Sequence, residues 1–351
     1  MSPETRSILT SDEVKARAAA AGFDICGIAP VGDFAEARFL HEWIARGFHG
    51  DMHYMARTAE RRADVRHVMP SATAVIMLGT VYNADRPYSM TRQDPREAAI
   101  ARYAWGDDYH DVIENRMRQL VGAIAEIAGP FEHRAYVDTG PVQERVYAKH
   151  AGLGWIGKNT CLINRELGSW LFLSAIICDL ALEPDRPTLD HCGRCTLCID
   201  ACPTGAITGP YQLDATRCLS YLTIENKGSI PREFRDAIGH YAYGCDICQD
   251  VCPWNRKAAV TDAASWQPRD GLDRPPLLDL WTRSDEELRT LLKGSPIKRA
   301  GVRRLRRNLA VSIGNSGEAS AADTLERGSE DTCADPLVRE HIDWAVEKLR
   351  G

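Results

Sequence analysis

The sequence predicts an α+β protein in three parts: an N-terminal α/β domain over residues 1–185, a cysteine-rich module over 186–256 and a helical region over 257–351. Three observations predict this division. Short apolar runs alternate with helical patterns in the first part, eight of the 12 cysteines fall within 191–256, and helical periodicity returns after Trp254. A Pro- and Asp-rich stretch, Leu182–Asp190, is typical of a linker between the first two parts.

Length and composition exclude several protein classes. A chain of 351 residues with 44% hydrophobic residues buries its own cores, so it is not a small domain held together by disulfides. Its N-terminus lacks the apolar segment of a secretory signal, and no run of about 18 apolar residues could span a membrane. We therefore expect a cytoplasmic protein with no membrane contact, whose reduced cysteines serve metal binding or redox chemistry.

The elements follow from local patterns. Thr10 and Glu13 form a capping box, and the Ala-rich run behind them ends at Gly22, which suits the C′ position of a helix. Buried strands are predicted at Ile25–Ala29, Ala74–Thr80, Arg134–Val137 and Trp170–Cys178. Further helices are predicted at Asp111–Ala128, Val142–Ala151, Ser284–Lys293 and Ile297–Ile313.

The cysteine module carries the strongest signal. Its first run has the bacterial ferredoxin spacing C-x2-C-x2-C-x3-C-P, and a half-copy follows, so the fourth cysteine of each run serves the other of two [4Fe–4S] clusters. The predicted ligands are Cys192, Cys195, Cys198 and Cys252 for cluster 1, and Cys202, Cys218, Cys245 and Cys248 for cluster 2. Two structural zinc sites are the alternative, although zinc knuckles do not usually combine this spacing with Cys-Pro. The remaining thiols, Cys26, Cys161, Cys178 and Cys333, are predicted to be free, and most of them buried.

Gly152, Gly154 and Gly157 fit G-x-G-x-x-G, and Gly152–Lys158 nearly fits a phosphate-binding Walker A loop. Both motifs need a strand before the glycines and a helix after them. Here the preceding residues are helical, with Pro141 suited to position N1 and Gly152 to C′. Asn159 also stands where Walker A needs Ser or Thr. The context therefore disfavours a nucleotide site.

Two further features are candidates for function. Asp138 follows a predicted strand and precedes a helix, so it is either a turn residue or a proton donor, and donation at pH 7 would require burial to raise its pKa. The stretch Ile297–Arg307 contains no acid and is either a solvated helix surface or a phosphate-binding face. Its basic residues are Lys298, Arg299, Arg303, Arg304, Arg306 and Arg307.

The chain resembles the epoxyqueuosine reductase family over nearly its whole length. The phrases that carry the resemblance are ARYAWGDDYH (101–110), VDTGPVQERVYAKHAGLGWIGKNT (137–160), CGRCTLCIDACPTGAI (192–207), RCLSYLTIENKGSIP (217–231), YGCDICQDVCPWN (243–255) and IKRAGVRRLRRNLAVSIGN (297–315). The resemblance implies two-electron reduction of epoxyqueuosine to queuosine at the wobble position of tRNA. It also implies base-off cobalamin in the first domain, two [4Fe–4S] clusters in a ferredoxin-like module, and a HEAT-like C-terminal region that helps to hold tRNA.

The resemblance also implies roles for single residues. Asp138 matches the family's proton donor, and the basic residues of 298–307 are expected to contact tRNA. Residues expected near the corrinoid are Arg61, Arg62, Asp138, Lys158, Ser169, Ser220, Cys245 and Asp246, with Arg57, Tyr103, His110 and Asn159 as weaker candidates. We expect a monomer that takes electrons from a separate, unidentified donor.

Three other functions compete with this one. A simple electron-transfer protein would leave the first 185 residues unexplained. A corrinoid reductive dehalogenase of small molecules, the main alternative, usually carries a twin-arginine signal, which this N-terminus lacks. A tRNA-binding protein with purely structural clusters would tolerate Asp138→Ala.

Overall fold

A computed structural model describes residues 9–91, 94–328 and 334–351. The predicted free thiol Cys333 lies outside these residues. The described residues contain no helix long and apolar enough to cross a membrane.

Strands and helices alternate along the first half of the chain, and short helices dominate the second. The strands are β1 Ile25–Pro30, β2 Ala74–Val81, β3 Ala99–Ile100, β4 His133–Val137, β5 Trp155–Ile156, β6 Leu162–Ile163, β7 Leu171–Cys178, β8 Ile207–Gly209, β9 Gln212–Leu213 and β10 Tyr241–Tyr243. The helices are α1 Ser11–Ala20, α2 Ala35–Ala45, α3 His53–Arg57, α4 Ala59–Ala63, α5 Tyr109–Ala128, α6 Glu144–His150, α7 Leu197–Asp200, α8 Leu219–Ile224, α9 Arg232–Ile238, α10 Ile247–Asp250, α11 Leu277–Thr282, α12 Asp285–Leu292, α13 Gly301–Gly314, α14 Ala321–Glu326 and α15 Pro336–Arg350.

A four-stranded antiparallel sheet in the order β1-β2-β7-β4 forms the centre of the first domain. Its strand β2 is buried along its whole length, and successive side chains enter opposite apolar cores. Ile76 and Leu78 pack with residues of α1 and α5, whereas Val75 and Met77 pack with residues of α6. Helices therefore cover both faces of the sheet, which explains why β2 is a continuous apolar run.

The structure confirms the predicted strands and helices, with shifts of a few residues at their ends. The capping box at Thr10 is present, and Gly22 and Gly152 have the positive φ angles of helix C′ positions. Two details were wrong. Pro141 is not at N1, because α6 begins at Glu144. The predicted helix Ile297–Ile313 is broken at Gly301, whose φ of 74° separates a 3₁₀ turn, Pro296–Arg299, from α13.

The apolar cores cross the predicted domain boundaries. Strand β3 of the first part pairs in parallel with β10 of the cysteine module. Trp105, Tyr243 and Leu309, one from each predicted part, share a single apolar cluster. Helix α13 packs chiefly on α15 but also contacts β10, α8 and α9. The three parts are therefore not independently packed units, although their sequences differ in composition.

Candidate functional site

Cysteines of each predicted set lie close to other cysteines of the same set. Burial raises the pKa of Cys198, and repulsion from the neighbouring thiolates of Cys192 and Cys195 raises it further. Cys252, 50 or more residues away in sequence, lies close to Cys192 and Cys198 in the same way. We call Cys192, Cys195, Cys198 and Cys252 the cluster-1 set. All described cysteines are free thiols.

The second set includes Cys218, which directly precedes helix α8. Burial raises the pKa of Cys245 well above its usual range, with further contributions from Cys218 and Cys202, and Cys248 feels both Cys245 and Cys218. We call Cys202, Cys218, Cys245 and Cys248 the cluster-2 set. The predicted free thiol Cys161 lies beside Cys248 and is only partly exposed, whereas Cys178 is buried in the sheet. The least certain predicted ligand, Cys218, is thus brought to its expected partners.

Asp138 lies directly after β4 in a left-handed conformation, with a φ of 57°. This conformation is uncommon for a residue with a side chain and is often found at functional sites. The backbone N–H of Asp138 donates to Oε1 of Glu144 at 2.8 Å, which fixes the turn. The next glycine, Gly140, is required because a Cβ there would lie 2.3 Å from the ring of Tyr136.

The carboxyl group of Asp138 contacts two side chains at the start of α5, those of Tyr109 and His110. The Tyr109 hydroxyl donates to Oδ2 at 2.8 Å, and Nε2 of His110 lies 3.6 Å from the same oxygen. Burial alone would raise the pKa of Asp138, but the interactions with His110 and Tyr109 outweigh it and hold the pKa below its usual range. The pKa of Asp138 is therefore not raised in this structure, in which 60% of the side chain is exposed, and its role as proton donor stays a prediction.

His110 links Asp138 to the basic segment. Its Nδ1 lies 2.8 Å from Oδ1 of the buried Asp108, whose other oxygen lies 3.0 Å from the ammonium group of Lys298. Burial lowers the pKa of His110, but the hydrogen bond with Asp108 and the attraction of Asp138 outweigh it and raise the pKa above its usual value. The imidazole can therefore hold a proton near neutral pH.

Other acidic groups converge on this region. Burial and the charge of Asp138 raise the pKa of Glu144 to about 8, and the same two causes raise the pKa of Glu225. Glu225 follows the last residue of α8, so the cysteine module contributes to the site. We call Asp138, Glu144, Glu225, Tyr109 and His110 the Asp138 pocket. Carboxyl groups with raised and lowered pKa values beside one another are typical of acid–base sites.

The structure separates the residues that were predicted to bind the cofactor. Arg62 lies near the pocket: Nε donates to Thr58 Oγ1, and the charge of Asp138 acts on the guanidinium. Arg61, from the same turn, is exposed. Ser220 lies within α8, between Cys218 and Glu225, and is partly exposed.

Three other predicted residues lie against or within the cysteine module. Lys158 donates to the carbonyl oxygens of Gly193 and Cys195, at 2.7 and 2.9 Å, so its ammonium group holds the cluster-1 loop. Ser169 Oγ accepts from Asn255 at 2.9 Å and from Gln249 at 3.0 Å. Asp246 is buried beside Cys245 and accepts from the backbone N–H of Arg102. Lys158 and Ser169 thus both form hydrogen bonds with the cysteine module, and their contact with the corrinoid stays a prediction.

The basic segment splits into an exposed and a buried part. Lys298, Arg299 and Arg303 are exposed, and Arg304 is partly buried with its guanidinium on backbone carbonyls. Arg306 and Arg307 are buried: Arg306 donates to the carbonyl of Trp281, and Arg307 donates to carbonyls that follow or belong to α8. Their prediction as tRNA contacts was wrong, because α13 turns this side of the run into the core.

Some residues of the site were not predicted from the sequence. Tyr109, Glu144 and Glu225 lie within the phrases that carry the family resemblance, but no spacing rule marks them. Their roles depend on contacts with Asp138 across 29, 6 and 87 positions of sequence. Only the proximity of Tyr109 to His110 could have drawn attention to it.

Comparisons with known proteins agree along the chain. A family model described as "4Fe-4S double cluster binding domain" matches residues 191–255, and one described as "Epoxyqueuosine reductase QueG, DUF1730" matches residues 62–139. The epoxyqueuosine reductase of Xanthomonas campestris is 44% identical over 95% of this chain and 94% of its own. That of Escherichia coli K12 is 39% identical over 93% of this chain and 86% of its own.

Solved structures give the same result. A crystal structure of epoxyqueuosine reductase with a tRNA-Tyr epoxyqueuosine-modified stem loop matches with a TM-score of 0.87 and 30% identity, covering 96% of this chain and 89% of that one. The epoxyqueuosine reductase of Bacillus subtilis, with its catalytic aspartate loop swung out of the active site, matches with a TM-score of 0.84 and 29% identity, over 96% and 90% of the two chains.

Proposed function

The chain belongs to the epoxyqueuosine reductase family and is an oxidoreductase, and we propose that it reduces epoxyqueuosine in tRNA to queuosine with Asp138 as the proton donor. The 44% identity over 95% of the chain supports this function most directly. The reaction removes the epoxide oxygen: two C–O bonds break, a C=C bond forms, and two electrons and two protons convert the oxygen to water.

Two [4Fe–4S] clusters and cobalamin are the proposed cofactors. The double-cluster family match supports the clusters, and so does the proximity of Cys252 to Cys192 and Cys198 and of Cys245 to Cys218 and Cys202. For cobalamin, the open carboxyl group of Asp138 and the Nε2 atom of His110, buried with no hydrogen-bond partner among the described residues, fit a site that a large group completes. Arg61, Arg62, Ser220 and the Cys245–Asp246 turn are the residues proposed to hold it. When bound, cobalamin would supply the strong reductant that the epoxide requires.

We propose that electrons enter through the cluster-1 set and leave through the cluster-2 set. The cluster-2 set is connected to the Asp138 pocket through the helix that begins after Cys218. Helix α8 follows directly after Cys218 and ends next to Glu225. At 1.5 Å per residue, Cys218 and Glu225 are about 10 Å apart along the helix. Cluster 2 would therefore lie close to the Asp138 pocket.

The proton chemistry belongs to the Asp138 pocket. In the free protein Asp138 is ionised at neutral pH, because its pKa is lowered. Substrate that excludes water from the carboxyl group would raise that pKa, since desolvation favours the neutral acid. His110, which retains a proton near neutral pH, can then supply it to Asp138, and Asp138 can pass it to the departing oxygen.

We propose that the exposed part of the basic segment binds the phosphates of the tRNA. Lys298 and Arg299 contact Asp108. Asp108 contacts His110, which in turn contacts Asp138, so two side chains connect these cations to the proposed proton donor. A phosphate held there would place the neighbouring nucleotide near the pocket. Arg303 extends the same exposed surface, although it also pairs with Asp335 at 2.6 Å.

Anaerobic turnover tests the proposed function. Protein with reconstituted clusters, cobalamin and a strong reductant is given tRNA that carries epoxyqueuosine, and the digested nucleosides are analysed by mass spectrometry. We expect loss of one oxygen, dependent on cobalamin and abolished in Asp138→Asn. Persistence of the epoxide, although both clusters are reduced and cobalamin is bound, would overturn the substrate assignment. Turnover that survives Asp138→Asn would overturn the proton donor.

A further inference from the structure

The glycine-rich segment Gly152–Lys158 has no part in the proposed reaction, and its structure excludes a phosphate-binding loop. Helix α6 precedes it, strand β5 lies within it, and no helix follows directly. Its glycines serve close packing: a Cβ on Gly154 would lie 2.2 Å from the carbonyl oxygen of Ile163, and one on Gly157 would lie 2.5 Å from the Ile163 side chain. The segment is therefore pressed against β6, and its polar groups point elsewhere.

Trp155 points from this segment toward the cluster-1 set. Its side chain is 1% exposed and packs with Cys252, Cys192 and Trp254. The indole Nε1 has no hydrogen-bond partner among the described residues. It lies near the sulfur of Cys192, where it favours the thiolate. Because a buried N–H group is rarely left without an acceptor, the sulfur of Cys192, which the indole faces, is the acceptor that this donor calls for.

Lys158 brings a positive charge to the same place. Its side chain is 8% exposed, and its ammonium group donates to carbonyl oxygens within the cluster-1 loop, those of Gly193 and Cys195. Among the described residues no carboxylate lies within ion-pair distance of it. A buried cation without a counter-charge is costly. The backbone N–H of Lys158 also faces the sulfur of Cys192.

The next residue reaches the other cluster. Asn159 Nδ2 donates to the carbonyl oxygen of Cys248 at 3.3 Å. Its effect on the cluster-2 set differs from that of Lys158 on the cluster-1 set, because an amide is neutral and carries no charge to balance. Lys158 and Asn159 thus each contact one of the two cysteine loops, and Lys158 alone of the two brings a charge.

We propose that Lys158 and Trp155 set the reduction potential of cluster 1, Lys158 as the counter-charge of the anionic cluster and Trp155 as a hydrogen-bond donor to its sulfur. Reduction adds one negative charge to the cluster, so a nearby cation and N–H donors stabilise the reduced form and raise the potential. A cluster ligated by Cys192 would supply the counter-charge that Lys158 lacks and would keep the Cys192 sulfur as the thiolate that Trp155 favours. This inference rests on the cluster assignment and not on the substrate.

A redox titration of the substrate-free holoenzyme, followed by electron paramagnetic resonance, tests the proposal in Lys158→Met, Lys158→Arg and Trp155→Phe. At a fixed electrode potential we expect the reduced-to-oxidised ratio of cluster 1 to fall about tenfold in Lys158→Met, which is 59 mV for a one-electron couple. Trp155→Phe keeps the ring and should cause a smaller fall. Lys158→Arg keeps the charge and should stay near the wild-type ratio, and cluster 2 should not change in any variant.

The remaining outcomes are also decisive. Loss of cluster 1 alone in Lys158→Met, with four irons retained in cluster 2, supports the counter-charge role. Unchanged cluster-1 potentials in fully loaded Lys158→Met and Trp155→Phe would overturn it. Equal shifts of both clusters, or loss of both in Lys158→Met and Lys158→Arg alike, would also overturn it, because the segment would then act only through the fold. None of these results depends on turnover, so failure here leaves the proposed function untouched.

Discussion

The cysteine sites and the Asp138 pocket are built from different kinds of side chain. Around the cluster-1 set, Lys158 contributes an ammonium group and Trp155 an N–H group, and their partners are carbonyls and sulfur. Around Asp138 the partners are groups that titrate: Tyr109, His110 and Glu144. We call these regions the electron side and the proton side. The difference teaches that one protein can supply electrons and protons through separate groups: an ammonium and an N–H donor beside the predicted cluster ligands, and a phenol, an imidazole and a carboxyl group beside the predicted proton donor.

A single short helix joins the two sides. Helix α8 runs between Cys218, a predicted cluster-2 ligand, and Glu225, a member of the Asp138 pocket. The carbonyl oxygens around its C-terminal end accept from Arg307 and Arg304. Changes on either side should therefore stay local, whereas changes to the supports of α8 should affect both. The following predictions test this separation.

The largest effect is expected from Cys218→Ala. Cluster 2 needs four thiolates, so the iron content should fall from about eight to about four atoms and turnover should be lost. Because the proton side is untouched, binding of the tRNA stem loop should remain. Cys161→Ala, which removes a thiol beside Cys248 that is not a predicted ligand, is the matched control. Full iron content in Cys218→Ala would exclude Cys218 as a ligand.

Arg307→Met should damage both sides. The buried guanidinium donates to the carbonyl oxygens of Leu222, Asn226 and Gly228, which would be left without it. Unsatisfied buried acceptors of this kind lower the free energy of unfolding by about 3 kcal/mol. Arg303→Met, at an exposed ion pair, should cost less than about 1 kcal/mol in the same urea titration. Equal stabilities of the two variants would contradict the structural role of Arg307.

Neutralising Lys298, Arg299 and Arg303 together should affect the proton side alone. Each cation that no longer binds a phosphate lowers the slope of log affinity against log salt by about 0.7, so the slope should fall by about 2. Binding of the modified stem loop is measured over a range of salt concentrations. Replacing Arg232, Arg339 and Arg350, which are also exposed and paired with acids, controls for total charge. An unchanged slope in the triple variant would exclude this surface as the phosphate site.

The smallest effect is expected from His110→Gln, which removes a group that acts through Asp138. Positioning groups of this kind change activity by about tenfold. The pKa of His110 is raised above 6.5. The wild-type rate should therefore be highest below pH 6.5, where His110 is protonated, and should fall as the pH rises through the raised pKa. The variant should lack this fall, whereas cluster potentials should equal those of the wild type. A pH profile with the same high-pH limb in the variant would show that His110 holds no functional proton.

Local pattern predicted much of the fold. Strand β2 and helix α5 were found because apolar periodicity is written into adjacent residues, and the C′ role of Gly152 follows from its lack of a Cβ. The break at Gly301 was missed, since the residues on both sides of it favour a helix. The shared core of the three predicted parts was missed because it depends on the parallel pairing of β3 with β10, about 140 residues apart.

By itself the sequence predicted the two cysteine sets, because cluster ligation depends on short spacings that repeat along the chain. It also determined the family, through phrases distributed over its length. Only the tertiary structure decided which arginines of the basic run are exposed, that Lys158 donates to the loop that carries Cys195, and that the pKa of Asp138 is lowered. Burial and ionisation depend on atoms contributed by distant segments, and no local pattern contains that information.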